Sequence, residues 1–303
     1  MRVLVHRDAL ALSGLEVERV IGDVRDPASL ERAFQDAETV FHLAAVVSID
    51  DNCRDIAWSV NIRGTENVVA ACLTAGVKRL VHFSSIHAMQ QPPFTAPVDE
   101  TRELVGNGAH YYDRSKAASE GIVQEGFMRG LNAVILAPTG IIGPHDYQPS
   151  HGGQMLLAMA CGKLPALVAG GFDWVDVRDV ATGALAAEAK APPGAKYILS
   201  GRWASLTALA EMTARLTGGR PPSFICPFWL AGIGIPFIGA YDKLRHRRPL
   251  YTRASLRAVR ANPQMSHARA TAELGYEPRA LDDTIRDTLA WFQYHGSLPK
   301  RIV

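Results

Sequence analysis

The sequence predicts an α/β fold: a doubly wound parallel sheet with a smaller, mainly helical C-terminal part. Two observations predict it. Short, nearly continuous apolar runs alternate with segments whose apolar residues follow a helical period, the pattern of parallel strands covered by helices on both faces. From about Trp203 onward the strand-like runs give way to helical ones, which places a second part after the sheet.

The elements follow in order. RVLVH (2–6) and VERVIGDV (17–24) read as strands. Asp26 and Pro27 then take the N-cap and first position of a helix, because an aspartate accepts from the free N–H groups of a first turn and proline has none to waste there. Leu30, Ala33 and Phe34 form its inward face. TVFHLAA (39–45) is a strand closing on small residues, NIRGTENVVAACLTAG (61–76) an amphipathic helix stopped by Gly76, and RLVHFSS (79–85) the next strand. NAVILAP (132–138) repeats the pattern after a helix around Tyr112. GIIGPHDYQ (140–148) reads as turn-rich, 170–189 as strand then helix, and KYILSG (196–201) as a short strand. LTALAEMTARLTG (206–218) and LDDTIRDTLAWFQYHG (281–296) are the clearest late helices. The nucleotide-type sheet is expected over 1–145 and 172–200, with 146–171 and 201–303 binding substrate.

Composition narrows the function classes. A chain of 303 residues, 48% hydrophobic, can bury a large core, and a net charge of +2 gives no electrostatic footprint for nucleic acid. Small-molecule partners are expected. Cys53, Cys72, Cys161 and Cys226 have neither disulfide-framework nor metal-ligand spacing, so reduced thiols in a cytoplasmic protein are expected, with no metal. The uncharged stretch 221–241 is broken by Pro227 and Pro236 and weakened by Gly232, Gly234 and Gly239, which argues against a transmembrane span. With the basic run KLRHRR (243–248) behind it, 221–248 could touch an anionic membrane surface. The favoured expectation is that Phe224, Phe228, Trp229 and Phe237 line an apolar substrate pocket.

The chemistry is signalled by HYYDRSKAASE (110–120), where Tyr112 and Lys116 stand one helical turn apart on one face. A phenol titrates ordinarily near pH ~10, and an ammonium beside it favours the phenolate, so the pair can serve as a proton donor. Upstream, the apolar run Leu80–Phe83 ends in Ser84 and Ser85. Ligands in open α/β sheets sit beyond the carboxyl ends of strands, which places a serine in the same crevice.

Taken together, GDVRDP, FHLAAVVSI, NIRGTENVV, VKRLVHFSS, YDRSK, PTGIIGPHDY, FDWVDVRDVATG, ELGYEPR and TLAWF occur in an order and spacing that resembles the extended short-chain dehydrogenase/reductases of the epimerase/dehydratase superfamily. Within them the chain is similar to dihydroflavonol 4-reductase-like and 3β-hydroxysteroid dehydrogenase-like proteins. The resemblance implies a Rossmann-like sheet and a hydride transfer to or from a nicotinamide cofactor. It implies Tyr112 as proton donor, Lys116 lowering its pKa and holding the nicotinamide ribose, and Ser85 bonding the substrate carbonyl. Asp23 and Val24 match the acidic-aliphatic pair near the adenine, Leu43, Ala44 and Ala45 (with His42) the loop under the adenosine, Asn61 a structural asparagine behind it, and Pro138 and Thr139 residues near the nicotinamide. His6 and Arg7, basic at the end of the first strand read here, tilt the cofactor towards NADP, with NAD the alternative. The expected activity is reduction of a ketone or oxidation of a secondary alcohol on a moderately apolar substrate, the protein being a homodimer. A nucleotide-sugar epimerase or dehydratase is the alternative, for which Arg245, Arg247 and Arg248 would supply a basic lining.

One departure stands out. The family opens with a strand and a G-x-x-G-x-x-G turn that holds the pyrophosphate, whereas this sequence opens at what resembles the second strand. In the order 3-2-1-4-5-6 the first strand is central, so without it the two neighbours would lie about two strand spacings apart. The favoured expectation is that the glycine-rich turn precedes Met1; the other is a degenerate, non-catalytic relative.

Overall fold

A computed structural model describes residues 1–47, 54–234 and 252–299. Parallel strands β3 (Thr39–His42), β4 (Arg79–Phe83), β5 (Ala133–Pro138) and β9 (Lys196–Leu199) form one ladder in that spatial order. Their inner residues, such as Leu80, Val81, Val134 and Leu136, are inaccessible to solvent, each contributing about 1.5–3 kcal/mol on burial. One face carries α1 (Pro27–Phe34), α3 (Gly64–Thr74) and α4 (Tyr111–Met128), with Leu30, Val68, Val123 and Leu80 in a shared core. The other is covered by α6 (Val177–Lys190) and helix Ala268–Leu274 through Val180, Ala184, Ala270 and Leu274. The predicted doubly covered, Rossmann-like parallel sheet is present.

Helix ends follow the sequence closely. The Asp26 side chain accepts from Ala28 N at the start of α1, with Pro27 inside the first turn. Gly76 adopts φ +65°, and Val77 N donates to Cys72 O at 3.0 Å, closing α3 in a left-handed turn that favours glycine. Ahead of α3 the chain is already helical, as α2 (Arg54–Trp58) and a wider turn over Ser59–Arg63.

Strands β1 (Arg2–Val5) and β2 (Glu18–Ile21) pair in parallel as a ladder of their own, and among the described residues neither pairs with β3. Side chains tie this small ladder to the rest. Arg2 donates to Ala33 O and Gln35 O at the end of α1, and Asn67 Nδ2 of α3 donates to Val24 O at 3.0 Å.

The stretch expected to be turns contains β6 (Gly140–Ile142), which pairs in parallel with β8 (Gly171–Asp176); β10 (Arg202–Ser205) adds antiparallel to β8. A three-residue strand opening on glycine carries too little periodic signal to be read, and its partner lies some thirty residues on. Helices α5 (His151–Ala160), α7 (Leu206–Thr217) and Leu281–Tyr294 share a second core around Leu156, Leu209, Ile285 and Phe292. Beside it, β7 (Leu167–Val168) and β11 (Ile225–Cys226) form a short parallel pair.

Candidate active site

The site is assembled where β4 ends. Beyond Phe83 the chain leaves the ladder through Ser84 and Ser85, and Ser85 Oγ accepts from His87 N at 3.2 Å, which fixes the serine at the start of a short turn. Helix α4 begins at Tyr111, so Tyr112 sits in its first turn and Lys116 one turn on. The Ser85 hydroxyl lies beside the Tyr112 phenol and favours its ionised form. Lys116 Nζ donates to Phe83 O at 2.6 Å, the last carbonyl of β4. Tyr112, Ser85 and Lys116 therefore meet at one strand end.

The electrostatics depart from expectation in one respect. Burial pushes the Tyr112 phenol up to about 12, the neighbouring Ser85 hydroxyl opposes that rise, and Asp113 adds to it. Lys116 does not lower it: its amino group is held against the Phe83 carbonyl, and burial brings Lys116 itself down to about 8 while Glu120 pulls the other way. Desolvation by the packed crevice outweighs the effect of the Ser85 hydroxyl. Burial also pushes Asp113 up to about 6, against His110 and Arg257, and holds His87 below its ordinary value.

Behind this group, Asn61 is 2% exposed; its Oδ1 accepts from Val46 N at 2.8 Å and its Nδ2 donates to Val46 O and to Ser115 Oγ. It fastens the loop after β3 to α4. His42 pairs with Thr65 Oγ1 at 3.0 Å, and burial lowers it to about 3, a neutral ring within the core. Leu43 and Ala44 are exposed and Ala45 half-buried, a ledge of mostly small side chains past β3. Pro138 ends β5, and the Thr139 hydroxyl donates to Asp173 Oδ1 at 2.7 Å.

At the end of the small ladder, Asp23 is held at about 2, chiefly by its hydrogen bond from Arg25, with His6 Nε2 at 3.2 Å. Val24 is buried against Gly64, where an added Cβ would come within 2.7 Å of Val24 Cγ2. Arg7 is exposed. By their chemistry these residues could hold a dinucleotide: a carboxylate with basic side chains at the end of the small ladder, and a phenol with a lysine at the end of β4. Among the described residues no glycine-rich strand, turn and helix faces the middle.

Two buried groups were not legible in advance. Glu120, which accepts from Ser84, and Asp173, which accepts from Thr139, meet these residues only through the fold; Glu120 at i+4 from Lys116 was the readable clue. The apolar pocket is a correction. Phe224 is 53% and Trp229 69% exposed, while Phe228 lies under Arg260 at 4.4 Å, so these rings do not line one enclosed cavity. Phe224 precedes, and Phe228 and Trp229 follow, the two-residue strand β11. Phe237, the arginines 245, 247 and 248, and the basic run 243–248 lie outside the described residues, as does Cys53. A shallow, open depression of about 330 Å³ lies in the β4–α4 connection, bordered by Gln90, Gln91, Val105 and Ala109. No helix of the described residues is long and apolar enough to cross a membrane.

A sequence model of the NAD dependent epimerase/dehydratase family matches residues 3–199. The chain is 33% identical over 302 residues to sterol demethylase protein B of Methylococcus capsulatus, covering 98% of this chain and 92% of that protein. It is 28% identical to 3beta-hydroxysteroid-dehydrogenase/decarboxylase isoform 1 of Arabidopsis thaliana, over 94% of this chain and 69% of the other. The crystal structure of gox2253 superimposes with a TM-score of 0.84 at 32% identity, covering 98% of this chain and 91% of that one.

Proposed function

Since this chain belongs to the NAD dependent epimerase/dehydratase family, we propose that it is an oxidoreductase interconverting a ketone and a secondary alcohol on a moderately apolar substrate. The observation that carries this reading is the gathering of Ser85, Tyr112 and Lys116 at the end of β4, with Lys116 Nζ on the Phe83 carbonyl. The relatives' names, a sterol demethylase protein and a 3β-hydroxysteroid dehydrogenase/decarboxylase, support a sterol-like alcohol or ketone.

The nicotinamide cofactor, when bound, supplies or accepts the hydride. Ser85 donates a hydrogen bond to the substrate carbonyl oxygen. As the carbonyl carbon gains the hydride, the oxygen becomes alkoxide-like and takes the Tyr112 proton, giving the alcohol; solvent then reprotonates the phenolate. A phenol pushed up to about 12 suits this role, because it stays protonated at neutral pH yet remains a far stronger acid than an alcohol. Lys116, anchored on the Phe83 carbonyl, offers its remaining N–H donors to the ribose. His6, Arg7, Asp23 and Val24 take the adenosine end, the ledge 43–45 lies beneath it, and Pro138 and Thr139 border the nicotinamide. Exposed Arg7 favours NADP over NAD. The helical part sharing the second core takes the substrate.

Titrating the protein with NADPH and with NADH, followed by nicotinamide fluorescence, tests the cofactor reading. NADPH should bind more tightly; equal or tighter NADH binding overturns the NADP assignment, and binding of neither overturns the reading for this chain. In Tyr112→Phe, turnover of a 3-ketosteroid or hydroxysteroid should fall by at least about 100-fold with NADPH binding unchanged. Retained turnover removes Tyr112 as proton donor.

A further inference from the structure

Glu120 stands on the Tyr112–Lys116 face of α4, one turn beyond the lysine, and is fully buried. No step above uses it. An interior carboxylate is costly unless partners are built for it, and here they are. Ser84 Oγ donates to Oε2 at 2.8 Å, and Lys196 Nζ, from β9, donates to Oε1. Lys196 is the register partner of Ile135 on β5, so the ion pair reaches from the ladder's outer strand to α4, and the Ser84 bond carries it on to β4.

The charged and titratable groups around Lys116 can be named element by element. Glu120 attracts its charge from α4 itself. On β3 and β4, His42 and His82 are kept neutral by burial, and the Lys116 charge further opposes their protonation. Lys196 on β9 is the second cation, paired to Glu120. Asp113, in the first turn of α4, interacts with His110 and Arg257. Glu120 thus pairs directly with Lys196 and stands one helical turn from Lys116 on the same face of α4, where its charge favours the ammonium.

We propose that Glu120 is a positioning residue: its charge keeps Lys116 an ammonium inside the crevice, and its hydrogen bond from Ser84 fixes the strand end that carries Ser85. The role rests on the reading of Tyr112 and Lys116 as proton donor and partner.

The test reads Lys116 directly. The whole chain contains seven lysines, few enough for their ¹³Cε signals to be separated by NMR, with Lys116→Arg identifying the one of interest. In Glu120→Gln, which keeps an oxygen for Ser84 but loses the charge, the Lys116 midpoint should fall by about 0.5 pH unit or more. In Lys196→Gln, which removes the competing cation and frees the carboxylate, it should rise. Midpoints unmoved in both, even with lower thermal stability, would make Glu120 a packing residue and overturn the proposal. A fall in Lys196→Gln would overturn it as well, and that variant decides the matter if Glu120→Gln does not fold. Neither cofactor nor substrate is needed, so failure here is distinct from failure of the Tyr112→Phe and NADPH experiments.

Discussion

Asn61 uses both ends of its amide, on one residue of the loop after β3 and one of α4. Replacement by alanine would leave Val46 N and Val46 O without their partner and take from Ser115 Oγ the bond it accepts, although that hydroxyl still donates to Tyr112 O. Asn61→Ala should therefore cost about 2–3 kcal/mol, read as a lower urea midpoint at unchanged slope. Its importance was legible because the motif around it resembles a family, but its partners were not: Ser115 is 54 residues away in sequence. The same limit explains the Tyr112 acidity. Helical spacing placed Tyr112 and Lys116 on one face, whereas the rise to about 12 comes from what packs over the phenol and where the lysine amino group turns. Neither can be read from a spacing.

At the scale of elements, the long and capped ones were legible. The inward residues of α1 are the ones its periodicity named, with Leu30 at 0% exposure. Serine at the start of α7 accepts from Ala208 N, and Gly218 ends it at φ +68°. Strands of two or three residues were missed, because two residues have no period and β6 depends on a partner some thirty positions on. The sheet containing β6 is also where backbones run closest. At Gly171 an added Cβ would stand 2.3 Å from Ala204 O, a main-chain atom of the paired strand β10. That neighbour cannot turn aside as a side chain would. Gly171→Ala should destabilise by about 2–4 kcal/mol, seen as a lower Tm, whereas Gly162→Ala, with open space around it, should show only the smaller penalty of its φ of +61°.

For the whole molecule, the alternation of strands and helices predicted the doubly covered sheet, and the order β3-β4-β5-β9 realises it. Which strands would actually touch was open, since pairing depends on neighbours and not on composition. The ladder of β1 and β2 is separate from the four-stranded one, and a two-stranded sheet is marginal by itself. Hydrogen exchange should show this as a gradient: slow amides in β4 and β5, and amides in β1 and β2 exchanging at least about tenfold faster. Uniform protection across both ladders would contradict it. On the proposed reading, the division also separates the two ends of the cofactor. Asp23 and Arg7 belong to the smaller leaf, Tyr112 and Lys116 to the larger. A dinucleotide touching both would act as a cross-tie, so each release step would also loosen a hinge, and affinity for the cofactor would carry the cost of holding the leaves in line.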